Sequence, residues 1–89
     1  MTHTILRLPA IKTSTGLSRS TIYLRIAQGV FPKPVSLGGR AVGWPASEVE
    51  ALNAARISGQ SNSEIRDLVV KLEAARKTAA SEVRDDPKL

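Results

Sequence analysis

From Pro9 to Pro45 the chain meets a proline or a glycine so often that no helix or strand there can exceed about twelve residues. Residues 1–6 form a short lead-in, polar and then apolar. Pro9 suits a first helical turn and Gly16 a helix end, which predicts a first helix over Leu8 to Leu17 with Leu8, Ile11 and Leu17 inward. Ser18 then caps a second helix running to Gln28 and closed by Gly29. Phe31-Pro32-Lys33-Pro34 cannot be helical, because each proline restricts its predecessor to extended backbone. Val35-Ser36-Leu37 and Ala41-Val42-Gly43-Trp44 flank Gly38-Gly39-Arg40. That pattern predicts a short hairpin with Val35, Leu37 and Val42 packing inward at period two. Trp44 reads as a cover for a small core and Phe31 as a plug beneath the proline turn. Pro45 starts a third helix, Ser47 and Glu50 have capping-box spacing, and Val49, Leu52 and Ile57 form its core stripe. After a break from Ser58 to Ser63, an Ala-rich fourth helix is predicted from about Ser63 to Ala80, then a charged tail.

Eighty-nine residues make one small domain, and the absence of cysteine excludes disulfides and thiolate zinc sites. No run approaches the roughly 18 apolar residues of a membrane helix, and residues 1–20 show no signal-peptide apolar region. A cytoplasmic, nucleoid-associated protein with no membrane contact is the expectation. The net charge is +5, and its placement carries more information than its size. Residues 1–47 hold Arg7, Lys12, Arg19, Arg25, Lys33 and Arg40 and no acid, while all eight acids lie beyond. Random scatter would leave that half free of acids roughly 0.3% of the time. Its partner should be a polyanion.

The second helix carries the chemistry. At roughly 100° per residue, Ile22 and Ile26 share one side and define the core direction. Ser20, Thr21 and Leu24 face outward, with Arg19 and Tyr23 on one flank. Arg25, nearer the core direction, can lay its stem along the apolar edge while its head reaches out. A short helix, a glycine turn and a capped helix make a helix-turn-helix, whose second helix enters the DNA major groove N-terminus first. Ser18, Arg19, Ser20, Thr21 and Tyr23 suit that task. Arginine can bind a guanine edge bidentately, and hydroxyls can bond bases or phosphates. Leu24 could pack on a thymine methyl or on a protein. Lys12 on the first helix adds a base, and Arg40 at the hairpin tip can reach an adjacent groove or backbone. The fold class is therefore mainly α with a short β-hairpin. A winged helix-turn-helix DNA-binding domain is expected over residues 1–58, with a linker, C-terminal helix and charged tail over 59–89.

Leu6-Arg7-Leu8-Pro9, Thr15-Gly16-Leu17-Ser18-Arg19-Ser20-Thr21-Ile22-Tyr23 and Phe31-Pro32-Lys33-Pro34-Val35 resemble the AlpA family of prophage regulatory proteins. So does the run from Gly38 to Ala51, and the resemblance covers about residues 5–57. It implies a MerR-like winged helix-turn-helix, a small transcriptional activator of a prophage or mobile element, and kinship with excisionases. By position it puts Ser18, Arg19, Ser20 and Tyr23 on the recognition helix and Arg40 in the wing. One departure from the general helix-turn-helix pattern stands out. The position before Ile26 is usually apolar and here is Arg25, with Leu24 outward.

In the fourth helix Ile65, Leu68, Leu72, Ala75 and Ala79 follow 3-4-3-4 spacing beside Val69. That stripe can pair with its copy in a homodimer through residues 63–80 or pack back on its own domain. Catalysis finds no support. The only histidine, His3, sits near the chain start, and Glu48 and Glu50, two apart on a helix, do not face each other. The first half offers no metal-ligating cluster, so neither a cofactor nor a metal is expected. Three functions stay open: a sequence-specific transcriptional regulator, an excisionase-like architectural protein that bends double-stranded DNA, or a protein-interaction module acting through the fourth helix. Contacts to RNA polymerase or an integrase would accompany the first two.

Overall fold

The computed structural model describes residues 3–84, in the order β1 (Ile5–Leu6), α1 (Leu8–Thr15), α2 (Arg19–Ala27), β2 (Val35–Gly38), β3 (Ala41–Pro45), α3 (Ala46–Ile57) and α4 (Asn62–Arg84). It is a winged helix-turn-helix followed by a C-terminal helix. The part of the tail beyond Arg84 lies outside the described residues. No described helix is long and apolar enough to cross a membrane.

The local signals act where residue chemistry demands. Gly16 adopts φ 72° past α1, and its N–H closes on the Lys12 carbonyl at 2.9 Å. The helix therefore ends at Thr15, two residues before the expected limit. Ser18 caps α2 by accepting the Thr21 N–H. Two features escape the expected pattern in the sheet. The lead-in contains a strand, β1, pairing antiparallel with β3 through Ile5↔Pro45 and Leu6↔Trp44. Two residues are too few to show a period. The sheet order is thus β1-β3-β2.

The second feature is a register shift between Ser36 and Gly38, which breaks the period-two alternation. Leu37, expected inward, is 43% exposed.

Two corrections fall on α3. Its first N–H groups are not met by Ser47, because the helix already begins at Ala46 and its cap, Pro45, makes no side-chain bond. The Ala46 N–H instead donates to the Thr4 carbonyl at 2.8 Å, so the sheet edge serves as the cap. Ile57 is 86% exposed, and Ala55 takes the expected core place, since only it shares the face of Val49 and Leu52. The capping box with S-x-x-E spacing lies later. The Ser61 N–H donates to Glu64 Oε1 at 2.8 Å and the Glu64 N–H to Ser61 Oγ at 3.2 Å. It starts α4 one residue earlier than expected, and the helix continues past Ala80 to Arg84.

Helix α3 is a wall between two cores. On one side Val49 joins Ile11, Ile22, Phe31 and Trp44, with Leu6, Leu8, Leu17 and Ile26 around them. Trp44 is fully buried and satisfies its indole N–H on the Pro32 carbonyl at 2.9 Å. On the other side Leu52 and Ala55 join Val30, Ile65 and Val69, flanked by Leu68 and Leu72. The fourth-helix stripe is thus used within the chain. Each fully buried aliphatic side chain of this kind contributes about 1.5–3 kcal/mol.

Polar contacts extend the grip of α4. Arg76 meets Glu48, which is buried, through Nε to Oε2 at 2.8 Å and Nη2 to Oε1 at 2.7 Å. Its Nη2 also donates to the Lys33 carbonyl at 2.7 Å, while Glu73 Oε2 accepts the Lys33 N–H at 2.9 Å. Arg66 Nε donates to the Gln28 carbonyl at 3.0 Å. Both ends of the segment joining α2 to the hairpin are therefore held by α4.

Candidate nucleic-acid interface

The exposed face of α2 is built outward from its cap. Ser18 Oγ accepts the Thr21 N–H at 3.3 Å, donates to Thr21 Oγ1 at 3.0 Å, and lies 3.3 Å from Ser20 Oγ. The first turn contains no acid. The remaining N–H groups and the positive end of the helix dipole are thus uncompensated by a carboxylate of that turn, an arrangement suited to a phosphate. Ser18, Arg19 and Ser20 are exposed there, and Leu24 is 56% exposed one turn on.

Thr21 differs from these three. Its side chain is half-buried and its hydroxyl and N–H both serve the cap.

Arg19 is held before any ligand arrives. Its guanidinium carbon lies 5.6 Å from the Tyr23 ring centroid. Tyr23 meets Trp44 edge-on at 6.4 Å and 66°, and Trp44 meets Phe31 at 6.2 Å and 67°. A ladder of aromatic rings therefore runs from the buried core to the flank of α2. Tyr23 is part scaffold and part surface, at 38% exposed.

The hairpin presents Arg40, exposed, at its tip. Gly38 and Gly39 turn the chain there at φ 104° and 56°, conformations that side chains disfavour. Lys12, exposed in the last turn of α1, stands on the neighbouring helix. The structure thus brings Ser18, Arg19, Ser20, Tyr23 and Leu24 together on α2 and its cap, while Lys12 is exposed on α1 and Arg40 at the hairpin tip.

Arg25 behaves as its wheel position requires, half-buried at the edge of the core. It lines a cleft of ≈ 410 Å³ together with Ser14, Thr15, Asn53 and Arg56. Arg56 is not marked out by the sequence, because it lies beyond the acid-free half, among charges of both signs. A basic residue on the last turn of α3 was the available signal.

The family described as prophage CP4-57 regulatory protein (AlpA) matches residues 4–57 of the chain. An uncharacterized protein, ORF88 of Enterobacteria phage P4, is 54% identical over 55 residues, covering 62% of each chain. The DNA-binding transcriptional activator AlpA of Escherichia coli (strain K12) is 40% identical over 52 residues, covering 52% of this chain and 74% of its own. The chain therefore spans less than two thirds of the phage P4 relative. No solved structure matches the chain.

Proposed function

Because the chain belongs to the AlpA family of prophage regulatory proteins, we propose that it binds specific sites in double-stranded DNA and activates transcription of a mobile element. It acts by binding, without catalysis or a cofactor. The observation that carries this reading is the capped α2 with Arg19, Ser20 and Leu24 outward and an exposed Arg40 at the hairpin tip, within a half of the chain that has no acid. In the major groove, Arg19 and Ser20 would read base edges, and Leu24 would read a thymine methyl. Arg40 and Lys12 would hold the phosphate backbone and set register. The activator role is supported by the description of the Escherichia coli relative as a transcriptional activator.

Genome-wide recovery of bound DNA, followed by titration of a recovered site against salt, tests the proposal. If about four of the N-terminal bases meet phosphates, log K should fall with log salt at a slope near −3.6 per protomer. A flat salt response on every duplex would refute DNA binding. Recovered sites away from promoters would refute the activator role and leave binding intact.

A further inference from the structure

Helix α2 has two flanks. On one, Tyr23 packs against Trp44 of β3, so the sheet that carries the hairpin lies on that side. On the other, Arg25 faces the end of α3 across the cleft it lines with Ser14, Thr15, Asn53 and Arg56. The two flanks are nearly opposite around the helix at about 100° per residue. Both arginines line this cleft, whose floor is apolar (Leu17, Val30, Phe31, Leu52 and Ile57), and among the described residues no carboxylate lines it.

Arginines seldom converge without a counter-charge, because like charges in a partly dry site repel. Arg56, though exposed overall, has its pKa lowered from the usual arginine value, first by the partial burial of its guanidinium and then by Arg25. Most of the other polar groups are already occupied. The Asn53 amide donates to the Ser14 carbonyl at 3.0 Å, Thr15 Oγ1 donates to the Ile11 carbonyl at 2.7 Å, and one Arg56 nitrogen donates to Asn62 Oδ1 at 3.1 Å. Arg25 has no side-chain hydrogen-bond partner among the described residues, and Arg56 keeps further N–H donors. Of the polar lining above that apolar floor, what remains unmatched is positive and forked, the shape that fits a tetrahedral oxyanion.

We propose that the Arg25–Arg56 cleft is a clamp for a DNA backbone phosphate on the side of the major groove opposite the wing. The inference rests on the DNA-binding reading above. A helix lying in the major groove has a phosphodiester strand on each side, and the wing can serve only one of them. The cleft opens beside the α1–α2 turn, through Ser14 and Thr15, and that turn leads directly into the Ser18 cap. A phosphate held there would fix how far α2 rolls in the groove. The clamp thereby sets the register in which Ser20 and Leu24 meet bases.

The test uses the full chain, with a duplex carrying a recovered site and a random duplex of equal length, followed by fluorescence anisotropy over a salt series. Arg56→Gln and Arg25→Gln should each make the log K slope shallower by about 0.9, and the double variant by about twice that. Both duplexes should weaken by the same factor, because a phosphate contact carries no sequence information. Arg25→Lys should keep the slope while losing affinity, since a point charge replaces a fork. Arg56 is exposed, so Arg56→Gln decides the matter even if Arg25→Gln melts early. A steep wild-type slope left unchanged by Arg56→Gln would overturn the clamp and leave DNA binding standing. A flat wild-type response would overturn both. Unchanged binding to both duplexes with transcription lost would assign the cleft to an acidic protein surface, and so would also overturn the clamp.

Discussion

Replacing Arg76 with alanine should be the most damaging change outside the apolar core. Glu48 is 4% exposed and receives two charged hydrogen bonds from Arg76, at 2.8 and 2.7 Å. Removing one partner of a buried ion pair typically costs 3–5 kcal/mol, because the other charge stays desolvated. The Arg76 side chain is 24% exposed, so truncation admits some water to Glu48, which places the cost near about 3 kcal/mol. A chain of this length has roughly 4–13 kcal/mol in total. The loss should lower Tm by about 12–24 °C. Glu48→Leu combined with Arg76→Met should recover much of it, since apolar replacement of a buried pair is often neutral. The cycle of single and double variants, followed by urea unfolding, gives the coupling directly. A loss below about 1 kcal/mol for Arg76→Ala, or additive effects in the double variant, would show that the pair does not hold α4 to the domain. The hydrogen bond to Glu48 raises the Arg76 pKa above arginine's ordinary value, against the opposing effect of burial. Stability from that shift is complete below the ordinary arginine pKa and is lost only as pH rises through the raised one. The Arg76 contribution should therefore be flat across neutral pH, which a pH series of melts checks.

Ser18→Ala should cost about 1 kcal/mol in thermal melts, and it should also weaken binding by loosening the turn that presents Arg19 and Ser20. Gly43→Ala should cost about 1–3 kcal/mol, because a Cβ there would lie 2.5 Å from Ile5 Cγ2 and 3.0 Å from the Leu6 carbonyl. Amide exchange should show β1 leaving β3 first, and an unchanged melt would refute the close approach. Leu24→Ala should leave the melt intact, since Leu24 is 56% exposed, yet shift base preference by about 1 kcal/mol in a binding-site selection. Arg40→Ala should weaken recovered and random duplexes alike if the wing meets phosphate, and A·T-flanked sites selectively if it enters a minor groove. No change on either would remove the wing from the interface.

What the sequence displays of this fold is what local chemistry alone decides. Gly16, Ser18, Gly29 and the Gly38–Gly39 pair each dictate a backbone conformation, and each punctuates the chain where its residue type requires. Long-range decisions are harder to read. Strand β1 exists because β3 offers it an edge, and the Thr4 carbonyl then relieves Ser47 of the capping task. Ile57 fits a stripe only if helix phase is ignored, whereas Ala55 is small enough to be overlooked and correctly phased. The exposed face of α2 is legible because its residues lie on one helix and its cap, although the packing of Tyr23 on Trp44 is not. Nor is the Arg25–Arg56 cleft, since only folding brings the ends of α2 and α3 together.

The choice between a free and a packed fourth helix shows why such pairings matter to function. A 3-4-3-4 stripe is equally suited to a partner helix or to its own domain, and what separates the two is the surface waiting for it. Val30, in the connection between α2 and β2, and Leu52 and Ala55, on α3, are apolar residues that lie outside the first core. They form the missing half of the Ile65 and Val69 face. Polar contacts then add direction, because Arg66, Glu73 and Arg76 all grip backbone groups of the Gln28–Lys33 segment. That segment carries no strand or helix of its own to hold it, yet it sets the distance from α2 to the hairpin. In the DNA-binding reading, spacing between recognition helix and wing must match the spacing between groove and backbone. Helix α4 is therefore a splint on the reading head. Its loss should weaken binding even where the first core, centred on Trp44, still holds α1 and α2 together.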